Sequence, residues 1–162
     1  MRYADITTCD IANGNGIGVV LWCQGCSLNC PGCQNACTHA SADGIEFTSK
    51  EEELIISELQ KPQITRLTLS GGHPLESYNI DTCLELCKRV KAELPDISIW
   101  CYTGYVWNDI KDLEIMNYID VLVDGPFVEK IKDISLPWRG SANQRIIDVK
   151  ASLATGIVKL YK

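Results

Sequence analysis

The sequence predicts an α/β domain built on a parallel sheet, and three observations point there. Short β-branched or aromatic runs alternate with stretches of helical periodicity. Each run stops abruptly at a glycine or polar turn. At 162 residues the chain is long enough for one hydrophobic core and too short for two comfortable ones. Strands separated by helices pair in parallel through crossover connections, and in such sheets ligands collect at the carboxyl ends of the strands.

The turns Asn13-Gly14-Asn15-Gly16 lead into a first predicted strand, Val19-Val20-Leu21-Trp22. Thr48-Ser49-Lys50-Glu51 has the form of a capping box, with Leu54, Ile55 and Leu59 at helical spacing up to the break at Pro62. A second strand, residues 64–69, ends at Ser70-Gly71-Gly72-His73-Pro74. Asn79 is then expected to cap a helix in which Ile80, Leu84, Cys87 and Val90 share a face, closing before Pro95. A third strand over residues 97–102 stops at Thr103-Gly104, and a shorter helical stretch over 106–116 follows. A fourth strand, 119–123, stops at Asp124-Gly125-Pro126. Beyond residue 129 the pattern is less regular, with an ordered loop at Pro137-Trp138-Arg139-Gly140-Ser141 and one more strand at 145–149. No repeat, low-complexity tract or linker interrupts the chain, so residues 1–162 are expected to form a single domain.

Composition narrows the function classes. A hydrophobic content of 46% with 22% charged residues is that of a soluble globular protein. No apolar run approaches the roughly 20 residues that span a bilayer, so no membrane role is expected. The N-terminus does not read as a secretory signal, which makes the cytoplasm the expected compartment. A formal charge of -6 argues against nucleic acid as a partner. The small basic group Lys88, Arg89 and Lys91 reads as a solvated helix face. In a reducing compartment the nine cysteines belong to metal or catalytic chemistry rather than to a disulfide framework.

Four of them crowd into Cys23-Gln24-Gly25-Cys26-Ser27-Leu28-Asn29-Cys30-Pro31-Gly32-Cys33. Counted from Cys23, the spacing C-x2-C-x3-C-x2-C suits a tetrahedral zinc site or a fully ligated electron-transfer cluster. Counted from Cys26, C-x3-C-x2-C supplies three thiolates, one fewer than a cubane iron-sulfur cluster needs, so one iron is left open. Spacing leaves both readings open; the pleat favours the second, because Cys23 continues the strand while Cys26 begins the loop. Cys83 and Cys87, at i and i+4 on one helix, are read as small buried residues, as are Cys9, Cys37 and Cys101. His39 is read as a solvent-facing loop residue.

A C-x3-C-x2-C loop after one strand and a glycine pair after the next resembles the radical S-adenosylmethionine superfamily. Further matches are Asn13-Gly14, Pro31-Gly32-Cys33 with Asn35, Leu69-Ser70-Gly71-Gly72-His73-Pro74-Leu75, Trp100-Cys101-Tyr102-Thr103-Gly104-Tyr105, Val123-Asp124-Gly125 and Trp138-Arg139-Gly140-Ser141-x-Asn143-Gln144. Together they resemble the activating proteins of anaerobic ribonucleoside-triphosphate reductases, over residues 10–145.

The resemblance implies a partial (βα) barrel of parallel strands, smaller than the complete eight-stranded form. It implies one 4Fe-4S cluster per chain on Cys26, Cys30 and Cys33, with S-adenosyl-L-methionine chelating the fourth iron. One-electron reduction, from a donor such as flavodoxin or ferredoxin, would cleave the sulfonium to methionine and a 5'-deoxyadenosyl radical. That radical would take a hydrogen atom from a glycine of the partner reductase. No side chain need act as acid or base, since the cofactors carry the chemistry. By the same resemblance Gly32, Cys33, Gln34, Gly71, Gly72 and His73 would lie against the cofactor, Gly72 by letting backbone groups approach the methionine moiety.

The chain departs from its relatives at two places. Gly32 and Gln34 flank the last cysteine where an aromatic residue is common, and His73 stands where relatives carry an acidic residue. The partner reductase is expected to cover the open side of the barrel, with residues 138–144 as a candidate contact. The rival readings are a four-cysteine zinc module, a closed electron-transfer cluster, an activase of another glycyl-radical enzyme, and a small enzyme acting on a metabolite.

Overall fold

The computed structural model describes residues Met1–Lys162. Eight strands form one mixed sheet: β1 (Arg2–Asp10), β2 (Gly18–Cys23), β3 (Ile45–Glu46), β4 (Arg66–Gly71), β5 (Ser98–Tyr102), β6 (Val121–Asp124), β7 (Arg145–Asp148) and β8 (Lys159–Leu160). Four helices accompany them: α1 (Ser49–Leu59), α2 (Ile80–Glu93), α3 (Trp107–Ile110) and α4 (Val149–Thr155). The strand order is β3-β1-β2-β4-β5-β6-β7-β8.

The first four strands expected from sequence, β2, β4, β5 and β6, lie side by side and parallel at the centre of the sheet. The rest of the sheet corrects the all-parallel expectation. β1 pairs antiparallel with β2, and β7 pairs antiparallel with β6. The short connection over residues 11–17 allows the first pairing, because an antiparallel neighbour needs only a turn where a parallel return needs a crossover, while the longer loop over residues 125–144 leads back to β7 without a crossover helix. β1 had no strand signal: its residues are mostly half-buried, without the apolar alternation of a strand that covers a core.

The helices pack on one face of the sheet, and their buried side chains join those of the central strands in one cluster. It includes Val19 and Leu21 of β2, Leu67 and Leu69 of β4, Ile55 and Leu59 of α1, and Leu86 and Val90 of α2. Each such side chain taken fully from water contributes about 1.5–3 kcal/mol. On the other face Trp100, Val121 and Val123 form a smaller cluster with Tyr102, Trp138, Ile146 and Tyr161. That thinner layer leaves room for a cavity.

Helix starts follow the sequence signals with one exception. Thr48 and Glu51 form the expected capping box of α1, the Thr48 amide donating to Glu51 Oε2 at 2.9 Å. Asn79 occupies the start of α2 but makes no side-chain cap. Its Nδ2 instead donates to the carbonyls of Gln24 and His73, both at 3.0 Å. The buried face of α2 is Cys83, Leu86, Cys87 and Val90, with Ile80 and Leu84 at the core margin. The basic group on this helix is neutralised by carboxylates: Arg89 pairs with Glu52, Glu53 and Glu93, Lys88 with Glu85 and Glu114, and Lys91 with Asp120.

A fully buried Arg66 on β4 was not legible as such. Its Nη2 meets both Asp10 Oδ1 and the Asp10 carbonyl at 2.9 Å, and its Nη1 reaches the Asn13 carbonyl and Thr68 Oγ1. The pair anchors the Asn13-Gly14 turn to the sheet. No helix is long and apolar enough to cross a membrane.

Candidate metal centre and its cavity

The register of β2 on β4 sets Cys23 opposite Gly71, so the cysteine loop and the glycine turn leave the sheet side by side. A Cβ on Gly71 would stand 2.7 Å from the Cys23 backbone, and the residue has φ +95°, both of which require glycine. A Cβ on Gly72 would stand 2.5 Å from the Gly25 carbonyl oxygen and 2.8 Å from that of Thr38. Its missing side chain thus admits the backbone of the cysteine loop.

A cavity of about 440 Å³ opens at the carboxyl ends of the four parallel strands, within the range of small-molecule sites. Cys26, Cys30, Cys33 and Gln34 line it from the loop after β2, and Gly71, Gly72 and His73 from the turn after β4. Thr103 and Gly104 follow β5, and Gly125 follows β6. Gly32 is not on the lining; a Cβ there would stand 2.5 Å from Glu129 Oε1, and the residue has φ +68°. Residues 138–144, expected as a partner contact, provide a wall of the cavity through Trp138, Arg139, Gly140 and Gln144. Gln144 Nε2 and Asn143 Nδ2 donate to the carbonyls of Gly125 and Pro126, which fastens this wall to the end of β6.

The three cysteines of the loop are half-exposed, whereas Cys23 is fully buried with its sulfur 3.8 Å from that of Cys83. Its thiol pKa is pushed well up by that contact and by burial. Burial also raises the Cys26 thiol, partly offset by the Leu28 and Asn29 amides. Cys83, Cys87 and Cys101 are buried as expected; Cys9 and Cys37 are exposed, against expectation, because β1 and the turn at 36–38 lie at the periphery. His39 is half-buried rather than solvent-facing, and its carbonyl accepts from the Cys26 amide at 3.0 Å.

His73 is buried, and Nε2 lies 2.7 Å from Thr103 Oγ1. That hydroxyl also accepts from the Tyr105 amide at 3.0 Å, and with a second lone pair and a proton of its own it can pair with either tautomer of the imidazole. Nδ1 stands 3.6 Å from Glu76 Oε1, too far for a hydrogen bond. Burial lowers the His73 pKa, opposed by Glu76. Burial pushes the Glu76 carboxyl upward, but hydrogen bonds from Ser27 and the nearby His73 outweigh it and hold the group below the usual range.

No three His, Cys, Asp or Glu side chains converge as ligands of one ion. A cubane asks for something different, since its thiolates bind separate irons and stand farther apart than the ligands of a single tetrahedral zinc. The residues present fit a cluster with a polar organic ligand beside it: three soft donors on one loop, with the partnerless buried atoms His73 Nδ1 and Arg139 Nε in residues that line the same cavity.

Comparison with known proteins points to an iron-sulfur cluster domain. Residues 12–147 match the 4Fe-4S single cluster domain family. The chain is 41% identical over 150 residues to the anaerobic ribonucleoside-triphosphate reductase-activating protein of Vibrio cholerae, covering 90% of this chain and 97% of that one. The protein of the same name from Escherichia coli K12 is 41% identical over 148 residues, 89% and 96% of the two chains. That of Enterobacteria phage T4 is 42% identical over 146 residues, 90% and 93%. The chain belongs to the family of anaerobic ribonucleoside-triphosphate reductase-activating proteins.

Within this member of the family, sequence reasoning missed Glu76, Asn35 and the Arg66–Asp10 anchor as site-building residues. Asn35 Nδ2 donates to the Gly71 carbonyl at 3.3 Å and so joins the end of the cysteine loop to the glycine turn. Its position two residues after Cys33 was a signal for such a bridge; nothing in the local sequence marked Glu76.

Proposed function

We propose that this chain is a radical S-adenosylmethionine activase that generates a glycyl radical on an anaerobic ribonucleoside-triphosphate reductase. The observation that carries the reading is the division of the four clustered cysteines. Cys26, Cys30 and Cys33 line a ligand-sized cavity, while Cys23 is buried against Cys83. Three thiolates and a vacancy are what a cluster with an open iron requires. A zinc module or a closed electron-transfer cluster would need Cys23 to leave the core, and would leave the cavity without a use.

When bound, the 4Fe-4S cluster and S-adenosyl-L-methionine supply the reductive cleavage and the 5'-deoxyadenosyl radical that removes hydrogen from a glycine. The chain's own residues bind, orient and shield. Cys26, Cys30 and Cys33 would hold three irons. Gln34, Gly71, Gly72 and His73 lie where the methionine moiety would sit, with the neutral His73 ring and the Arg139 side chain as polar contacts for its charged groups. Trp138 and Tyr102 contribute apolar wall that limits water. β2, β4, β5 and β6 correspond to the parallel part of a partial (βα) barrel, and residues 1–162 act as one activase domain. The reductase would close the open side, and a low-potential donor such as flavodoxin or ferredoxin would deliver the electron, in the cytoplasm.

The test is electron paramagnetic resonance of the anaerobically reconstituted, reduced protein with and without S-adenosyl-L-methionine. The expected result is a reduced 4Fe-4S spectrum that changes when the cofactor is added. A spectrum indifferent to the cofactor removes the open-iron reading.

A further inference from the structure

Glu76 lies outside the cavity lining yet is tied directly to the cysteine loop. Its Oε1 accepts from the Ser27 amide at 2.8 Å and from Ser27 Oγ at 2.6 Å. Ser27 is the residue after Cys26. The base of the loop, up to Cys26, is fixed by backbone bonds: Gln24 N to the Arg2 carbonyl, Gly25 N to Thr38 and Cys26 N to His39, at 2.8–3.0 Å. Its far end is fixed through Asn35 on the Gly71 carbonyl. Between them the hydrogen bonds of residues 28–33 stay within the loop, as in Cys33 N to the Cys30 carbonyl at 3.1 Å. Glu76 therefore holds the stretch that carries the first ligand position.

The carboxylate is itself held in place. Leu75 beside it is buried in the core, and Asn79 ties the turn to the loop by donating to the carbonyls of both His73 and Gln24. The Glu76 side chain is only 9% exposed, so solvent screens its charge weakly.

We propose that Glu76 is a positioning residue that orients Cys26 and keeps the reduction potential of a cluster bound there low. Two physical effects act together. An amide that donates to a cluster sulfur favours the reduced, more negative state, and Glu76 occupies the Ser27 amide so that it cannot do so. A fixed negative charge beside a ligand also opposes the arrival of one electron, in which no bond is made or broken. Both effects favour a strongly reducing cluster, which cleavage of a sulfonium demands. This inference rests on the cluster reading above.

The test compares Glu76→Gln and Glu76→Ala with the unaltered full-length chain. Gln retains an oxygen that accepts both Ser27 donors but carries no charge; Ala removes both. In redox titrations of reconstituted protein without S-adenosyl-L-methionine, Glu76→Gln is expected to keep its iron. Its potential is expected to rise by about a tenfold change in the reduction equilibrium, or about 59 mV for one electron. In the metal-free proteins, Cys26 of Glu76→Ala is expected to react with iodoacetamide several-fold faster than Cys26 of Glu76→Gln, with Cys30 in each chain as internal reference. An unchanged potential in Glu76→Gln overturns the electrostatic role, and equal Cys26 rates in the two variants overturn the positioning role. Failure of the unaltered chain to assemble four irons defeats the cluster reading instead, and the metal-free comparison still decides the positioning role.

Discussion

Cys23 and Cys83 meet sulfur to sulfur at 3.8 Å in the core between β2 and α2. The pleat explains why. Val19, Leu21 and Cys23 belong to the cluster packed against the helices, so the strand has already set the direction of Cys23 before the loop begins. Cys26 and its two companions come after the strand ends and line the cavity.

Cys23→Ala should therefore retain bound iron after reconstitution, at a stability cost of about 1 kcal/mol for the small void it leaves. Cys26→Ala should lose most of its iron with little change in stability. Iron analysis and urea unfolding of the two metal-free variants check this; equal iron loss in both sinks the three-ligand assignment.

The buried Arg66 depends on Asp10 for compensation. Asp10→Ala should destabilise the fold by about 3 kcal/mol, because it leaves a charge without its partner. Burial pushes the Asp10 carboxyl up, but the hydrogen bonds and charge of Arg66, with those of Asn13, leave it below its ordinary value. A depressed folded pKa gives stability that is full above the unfolded value of about 3.9 and is lost as pH falls through the folded one. The gap between wild type and Asp10→Ala in urea unfolding should accordingly narrow below about pH 4.

Gly71 combines φ +95° with backbone 2.7 Å from where a Cβ would stand. Gly71→Ala should cost about 1–3 kcal/mol and separate the glycine turn from the cysteine loop. Thermal unfolding together with iron content after reconstitution measures both effects, and a neutral substitution would show that the two turns do not need this contact.

His73 has a folded pKa below its ordinary 6.5, with burial as the main cause and Glu76 opposing it. Its contribution to stability should be complete above about pH 6.5 and fall away as pH drops through the folded value. His73→Gln should flatten that part of the stability–pH curve. NMR titration of the imidazole gives the pKa directly, and a midpoint at or above 6.5 would contradict the buried, neutral ring.

Sequence and structure agree most closely where the signal is local. The apolar runs behind β2, β4, β5 and β6, the turns that end them and the Thr48–Glu51 capping box were all legible, because each depends on neighbours within a few residues. The edges were not. β1 has no apolar alternation, and β7 was readable as a strand but not as antiparallel, since direction is set by the partner strand. Asn79 was legible as a helix start but not as the bridge between Gln24 and His73, which are brought together only by folding.

The sequence by itself determined the C-x3-C-x2-C spacing, the glycine pair and the resemblance that joined them, because covalent order sets which donors one short loop can present. Tertiary structure alone decided that Cys23 turns into the core, that Gly32 faces Glu129 and that residues 138–144 wall the cavity. It also decided that Glu76, forty-nine positions from Ser27 in the chain, holds the loop at its first cysteine. These placements follow from strand register and side-chain packing between distant segments, which no window of local sequence contains.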